Sequence, residues 1–127
     1  MVEELETRFN NLKNSIGIKS KETLDVMVSL ANFYVTTKEY DLAENLLREA
    51  YIIDLELFGE YNRDTIYTVD SLGKLFFDKK DYLEAKKYFD ISYSYKLKTY
   101  NKEEIENAKQ EKAEFDKLIS EGGNDVF

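Results

Sequence analysis

Shifted by 42 residues, this sequence matches itself. Thr23 falls on Thr65, Leu30 on Leu72, Tyr40 on Tyr82, Ala43 on Ala85 and Tyr51 on Tyr93. Softer matches keep the same offset: Leu24 with Ile66, Met27 with Val69, Ala31 with Gly73, Tyr34 with Phe76 and Leu47 with Phe89. A period of this length that holds apolar and small residues in place builds a stack of like units, each hiding its apolar face on the next. That constraint points away from a closed fold around one central core.

Composition agrees and removes several functions. With no proline and five glycines in 127 residues, the chain has few helix breakers, and an all-α domain is the economical reading. A net charge of −8 argues against a phosphate-binding surface, so no nucleic-acid partner is expected and anionic membranes are disfavoured. Cysteine and histidine are both absent, which removes disulfides, thiolate metal sites and the usual proton-transfer side chain. No metal, cofactor or catalysis is expected. No apolar run reaches membrane-spanning length, and residues 1–17 are charged and helical in pattern, so a cytoplasmic setting without membrane insertion is expected.

Along the chain, Val2, Leu5, Phe9, Leu12 and Ile16 form one helical stripe closed by Gly17. The offset places this segment on the second helix of a repeat whose first helix is missing. Ser20 and, 42 residues on, Asn62 are N-caps for the next two A helices. Helix A of the first repeat turns Leu24, Met27, Leu30, Ala31 and Tyr34 inward, and helix B turns Tyr40, Ala43, Leu47, Ala50, Tyr51 and Ile53 inward, with Leu57 and Phe58 finishing it before Gly59. In the second repeat the inward residues are Ile66, Val69, Leu72, Gly73 and Phe76, then Tyr82, Ala85, Phe89, Ser92, Tyr93 and Leu97. Ala31, Gly73, Ala43 and Ala85 are small where paired helix axes cross at close range. Asn101 and Glu104 make a capping box ahead of a last helix with Ile105, Ala108, Phe115, Leu118 and Ile119 on one face. Phe115 stands where the offset calls for the small Gly73, which marks this helix as a cap on the stack. The expected organisation is one domain over 1–121, comprising a half repeat 1–17, repeats 20–61 and 62–101 and a capping helix 102–120, with a disordered tail 122–127.

This pattern resembles the tetratricopeptide repeat. Leu30, Ala31 and Tyr34, and again Leu72, Gly73 and Phe76, give the leucine, small residue and aromatic of helix A; Tyr40 with Ala43, and Tyr82 with Ala85, open helix B; Ala50 and Ser92 supply a further small residue. The 42-residue period, and Asp64 and Thr65 in the inter-repeat loop, are similar to the kinesin-light-chain type of that family. Lys38 and Lys80 depart from it, standing where a turn glycine or asparagine is common. The resemblance implies a right-handed superhelical array of antiparallel helix pairs, a tetratricopeptide-like solenoid of about six helices. It also implies a scaffold or adaptor whose concave face, lined by A helices, binds a peptide or helix of a protein partner.

If so, the groove residues are Asp25, Ser29, Asn32, Val35, Tyr67, Asp70, Ser71, Lys74 and Phe77, continued by Lys109. Tyr67 is expected to be exposed; Val35 and Phe77 either join the groove or pack at the turn between the helices of a pair. The carboxylate clamp of some tetratricopeptide domains does not carry over, because Asn32 and Lys109 fit it while Val28, Ser71 and Ala113 do not. Tyr82, Tyr93, Tyr95 and Tyr100 of the second helix B are expected in the core. The alternative function is structural: Leu5, Phe9 and Leu12, left partly bare by the half repeat, stack on another copy of the chain, making a homo-oligomer, or on further repeats.

Overall fold

The structure is a computed structural model describing residues 1–125. Six helices follow one another: α1 (Val2–Ser15), α2 (Lys21–Thr36), α3 (Tyr40–Phe58), α4 (Arg63–Asp78), α5 (Tyr82–Thr99) and α6 (Lys102–Asp125). No strand occurs among the described residues. Each helix packs on the next, and α2 also packs on α4, the arrangement of a helical stack in which A helices adjoin A helices.

The 42-residue period extends to the backbone hydrogen bonds of the turns. Thr23 Oγ1 donates to the Gly17 carbonyl at 2.8 Å and Thr65 Oγ1 donates to the Gly59 carbonyl at 2.8 Å. Glu39 N donates to Tyr34 O, and Asp81 N to Phe76 O, both at 2.9 Å. Lys38 and Lys80 take φ of 62° and 66°. Those two lysines thus adopt the left-handed conformation that glycine or asparagine usually supplies, at a modest steric cost accepted twice.

Capping follows the sequence expectations. Ser20 Oγ accepts from Thr23 N at 3.2 Å, and Asn62 Oδ1 accepts from Asp64 N at 2.8 Å. Ahead of α6, Glu104 N donates to Asn101 Oδ1 at 2.8 Å while Asn101 N donates to Glu104 Oε1 at 3.0 Å, closing a reciprocal box. Each such cap is worth about 1 kcal/mol because it satisfies an amide that the helix leaves unpaired.

The core is one continuous cluster from Phe9 to Phe89. Gly73 is small for the reason expected: a β-carbon there would lie 2.6 Å from the Phe89 ring. Phe115 reaches in from α6 and stacks on the other side of the arrangement, its ring 4.3 Å from that of Phe89 and nearly parallel to it.

Several inward assignments need correction. Leu97, expected inward, is exposed in the last turn of α5, as are Ile16 and Leu57 at the ends of α1 and α3. Tyr88 is buried and stacks on Phe76, whereas Tyr93 is only half-buried. Phe9 is buried as well, so the α1 end is less bare than its half-repeat status implies. Helix α6 continues to Asp125, four residues into the segment expected as a tail; Gly122 lets it continue, since its α-carbon lies against the Tyr82 ring where a β-carbon would meet it at 2.8 Å. Val126 and Phe127 lie outside the described residues.

Candidate functional site

Where α2, α3 and α4 meet, the stack encloses a cavity of about 200 Å³. Leu24, Asp25, Val28 and Ser29 of α2 form one wall, Asp64, Tyr67 and Thr68 of α4 another, and Asp54 of α3 the floor. Three carboxylates therefore share one space. Lys21 spans two of them at the rim, its Nζ 3.0 Å from Asp25 Oδ2 and 3.2 Å from Asp64 Oδ2. Those hydrogen bonds, Asp25 first and Asp64 next, raise the Lys21 pKa.

Asp54 has no such counterion. It is 1% exposed, and Thr68 Oγ1 donates to its Oδ2 at 2.6 Å. Burial pushes its carboxyl up to about 6, against the Thr68 hydrogen bond, which lowers it; the charges of Asp64 and Asp25 add to the rise.

One repeat further on, the buried charge has a partner. The position equivalent to Asp54 is Lys96, 9% exposed, whose Nζ lies 2.9 Å from Asp70 Oδ2. Ser92 donates a short hydrogen bond to the other Asp70 oxygen. Lys96 and Asp70 also border a recess of about 10 Å³ with Phe89, Ala108 and Phe115.

The sequence-derived groove residues divide accordingly. Asp25, Ser29 and Tyr67 line the acidic cavity, and Tyr67 is 57% exposed as expected. Asn32 Nδ2 donates to the Tyr67 hydroxyl at 3.3 Å, holding the ring across from α2. Lys74 and Lys109 are exposed; Lys74 borders a separate recess of about 270 Å³ against α6, with Glu111, Glu114 and Leu118. Four residues are placed otherwise. Ser71 is buried at 4%, and Asp70 is committed to Lys96 and Ser92. Phe77 makes edge contacts with Tyr82 at 5.7 Å and Phe115 at 5.6 Å, and Val35 packs half-buried on the core; for both, packing at the turn is the outcome. Leu5 and Leu12 remain half-buried on α1.

Asp54 was missed because it is charged, yet its spacing points inward. Ala43, Leu47, Ala50 and Asp54 rise along α3 by four, three and four residues, as Ala85, Phe89, Ser92 and Lys96 do along α5, and all eight are buried. Among the described residues no set of three or more acidic, histidine or cysteine side chains converges to hold a metal ion, and no helix is long and apolar enough to cross a membrane.

Paired helices, matched turns and side-by-side A helices define a tetratricopeptide-like helical-repeat fold. No family model matches the sequence and no curated protein matches it. Among solved structures, the fold is similar to that of BtubC (BKLC) from P. vanneervenii, with a TM-score of 0.75 at 13% identity; the match covers 97% of this chain and 54% of that one. The chain thus spans about half the length of the structure it matches, and the likeness is one of fold.

Proposed function

We propose that this chain is a non-catalytic protein-interaction module whose repeats are of the 42-residue, kinesin-light-chain type, and that a partner peptide or helix binds across the α2 and α4 face. The observation behind this reading is Tyr67: a large aromatic side chain stands exposed on the face shared by adjacent A helices, steadied by Asn32. Exposed aromatics with restricted freedom supply much of the energy of peptide sites. Ser29 and Asn32 offer hydrogen bonds to a peptide backbone, and Lys74 and Lys109 extend the face toward α6.

The test is affinity capture with mass spectrometry, comparing the wild-type chain with a variant in which Ser29, Asn32, Tyr67 and Lys74 are replaced together. Loss of captured proteins by the variant supports the reading, and an unchanged set rejects it. Stacking through α1 is the weaker alternative. Phe9, its largest anchor, is already buried, and Leu5 and Leu12 are flanked by Glu3, Glu4, Thr7, Arg8 and Asn11.

A further inference from the structure

A buried carboxylate without a counterion is expensive, and a fold retains one only when something offsets that cost. Thr68 supplies the one hydrogen bond found on the Asp54 side chain among the described residues, and it goes to Oδ2. The other oxygen receives none, while Asp54 forms part of the cavity lining. Lys21 stays at the rim, engaged with Asp25 and Asp64. A cavity of about 200 Å³ is therefore left with an unmatched negative charge at its floor.

The second repeat shows how a charge at this position is matched. At the position of Asp54 it has a buried lysine, whose ammonium meets the Asp70 carboxylate at 2.9 Å. In the first repeat the equivalent position is Asp54 and the place of Asp70 is held by Val28, so the buried carboxylate meets no cation on the facing helix. The apolar walls, Leu24 and Val28, suit a methylene stem, which a hydrated metal ion has no use for, and the carboxylates do not converge as metal ligands.

We propose that the cavity between α2, α3 and α4 receives the side chain of a lysine carried by the partner polypeptide, its stem against Leu24 and Val28 and its ammonium against Asp54. Asp25 and Asp64 draw the cation inward from the rim, and Tyr67 covers the stem at the mouth. This rests on the reading that a polypeptide lies on the α2 and α4 face, and it assigns a chemistry to that face: the partner is basic where it crosses Tyr67.

The full-length chain, labelled with nitrogen-15, is titrated with the probe peptide acetyl-Ala-Ala-Lys-Ala-Ala-amide and with two matched peptides carrying norleucine or acetyl-lysine at the centre. Shift changes centred on Asp54, Tyr67 and Thr68, with the lysine peptide binding about tenfold more tightly than either control, are expected. In Asp54→Asn, which keeps an acceptor for Thr68, that preference is expected to vanish; in Asp41→Asn, an exposed change elsewhere on α3, it persists. Equal binding of the three peptides, no binding of the lysine peptide, or a preference that survives Asp54→Asn overturns the proposal. Spermidine and magnesium chloride are titrated in parallel, and saturation of the same residues by either one more tightly than by the lysine peptide also overturns it. Should these arms fail while the four-residue variant still loses its captured proteins, the module reading stands and only the lysine assignment falls.

Discussion

Asp54 and Lys96 occupy the same place in successive repeats, 42 residues apart, and both are buried with opposite charges. Lys96 has Asp70 at 2.9 Å, whereas Asp54 has only the Thr68 hydroxyl. One repeat is neutralised from within; the other leaves its charge facing a cavity.

Stability is expected to fall with pH through the titration of Asp54. Its folded-state pKa, about 6, lies above the ordinary 3.8, so the folded chain binds this proton more readily than the unfolded chain. The contribution is fully present below pH 3.8 and lost as pH rises through about 6. Its size is on the order of 3 kcal/mol. Urea unfolding of wild type and Asp54→Asn at closely spaced pH values measures it: the difference between the two curves is expected to grow across that window, with the variant the more stable at pH 8.

Lys96→Ala leaves Asp70 with a half-buried charge and no cation, which costs roughly 3–5 kcal/mol. Combining Lys96→Met with Asp70→Asn keeps the packing and removes both charges, and is expected to cost much less. Denaturant midpoints of the single and double variants decide this. A single variant that unfolds at the wild-type midpoint contradicts it.

Gly73→Ala sets two effects against each other. Alanine favours the helix by about 1 kcal/mol. A β-carbon 2.6 Å from the Phe89 ring forces that ring to move, and Phe115 is stacked on it. Overpacking costs about 1–3 kcal/mol, so a net loss of stability is expected, visible as a lowered melting temperature.

Phe115→Ala removes the aromatic side chain that fixes α6 to Phe77 and Phe89. The ring is half-buried, so roughly 2–3 kcal/mol is expected, below the full cost of a buried phenylalanine. Amide hydrogen exchange is the informative measurement, because protection is expected to drop along α6 before it drops in α2 and α3.

Arg63 and Glu104 join α4 to α6 through two parallel hydrogen bonds of 2.7 Å. The Arg63 hydrogen bond first, and the Asn101 amide next, hold the Glu104 carboxyl down at about 2. Arg63→Gln is expected to return it toward 4.5, read from the carbon-13 shift of the carboxyl as pH is lowered. The pair lies at the surface, so the depression is also expected to shrink in high salt.

Legibility in the sequence followed locality. The caps at Ser20, Asn62 and Asn101 depend on residues two or three apart, and all three are formed as expected. The small residues at Ala31, Gly73, Ala43 and Ala85 were readable because two repeats keep them in register, and all are buried. Ser71 was misplaced on the outer face of its helix. A single apolar stripe describes one contact, but α4 packs on α2, α3 and α5 together, so its buried arc is wider than any one stripe. The same crowding removes Asp70 from the groove and turns Phe77 inward.

The sequence by itself determined the repeat, its period, the helices and their caps, because these depend on spacing and on short-range hydrogen bonding. It also placed Asp25, Ser29, Asn32 and Tyr67 on one face of adjacent helices. Only the tertiary structure decided what lies beneath that face. Asp54 and Lys96 sit on the same stripe of their helices, and nothing local distinguishes a charge with a partner from one without. That distinction arises where helix A of each pair closes on helix B: α4 brings Asp70 to Lys96, while the equivalent residue of α2, beside Asp54, is Val28.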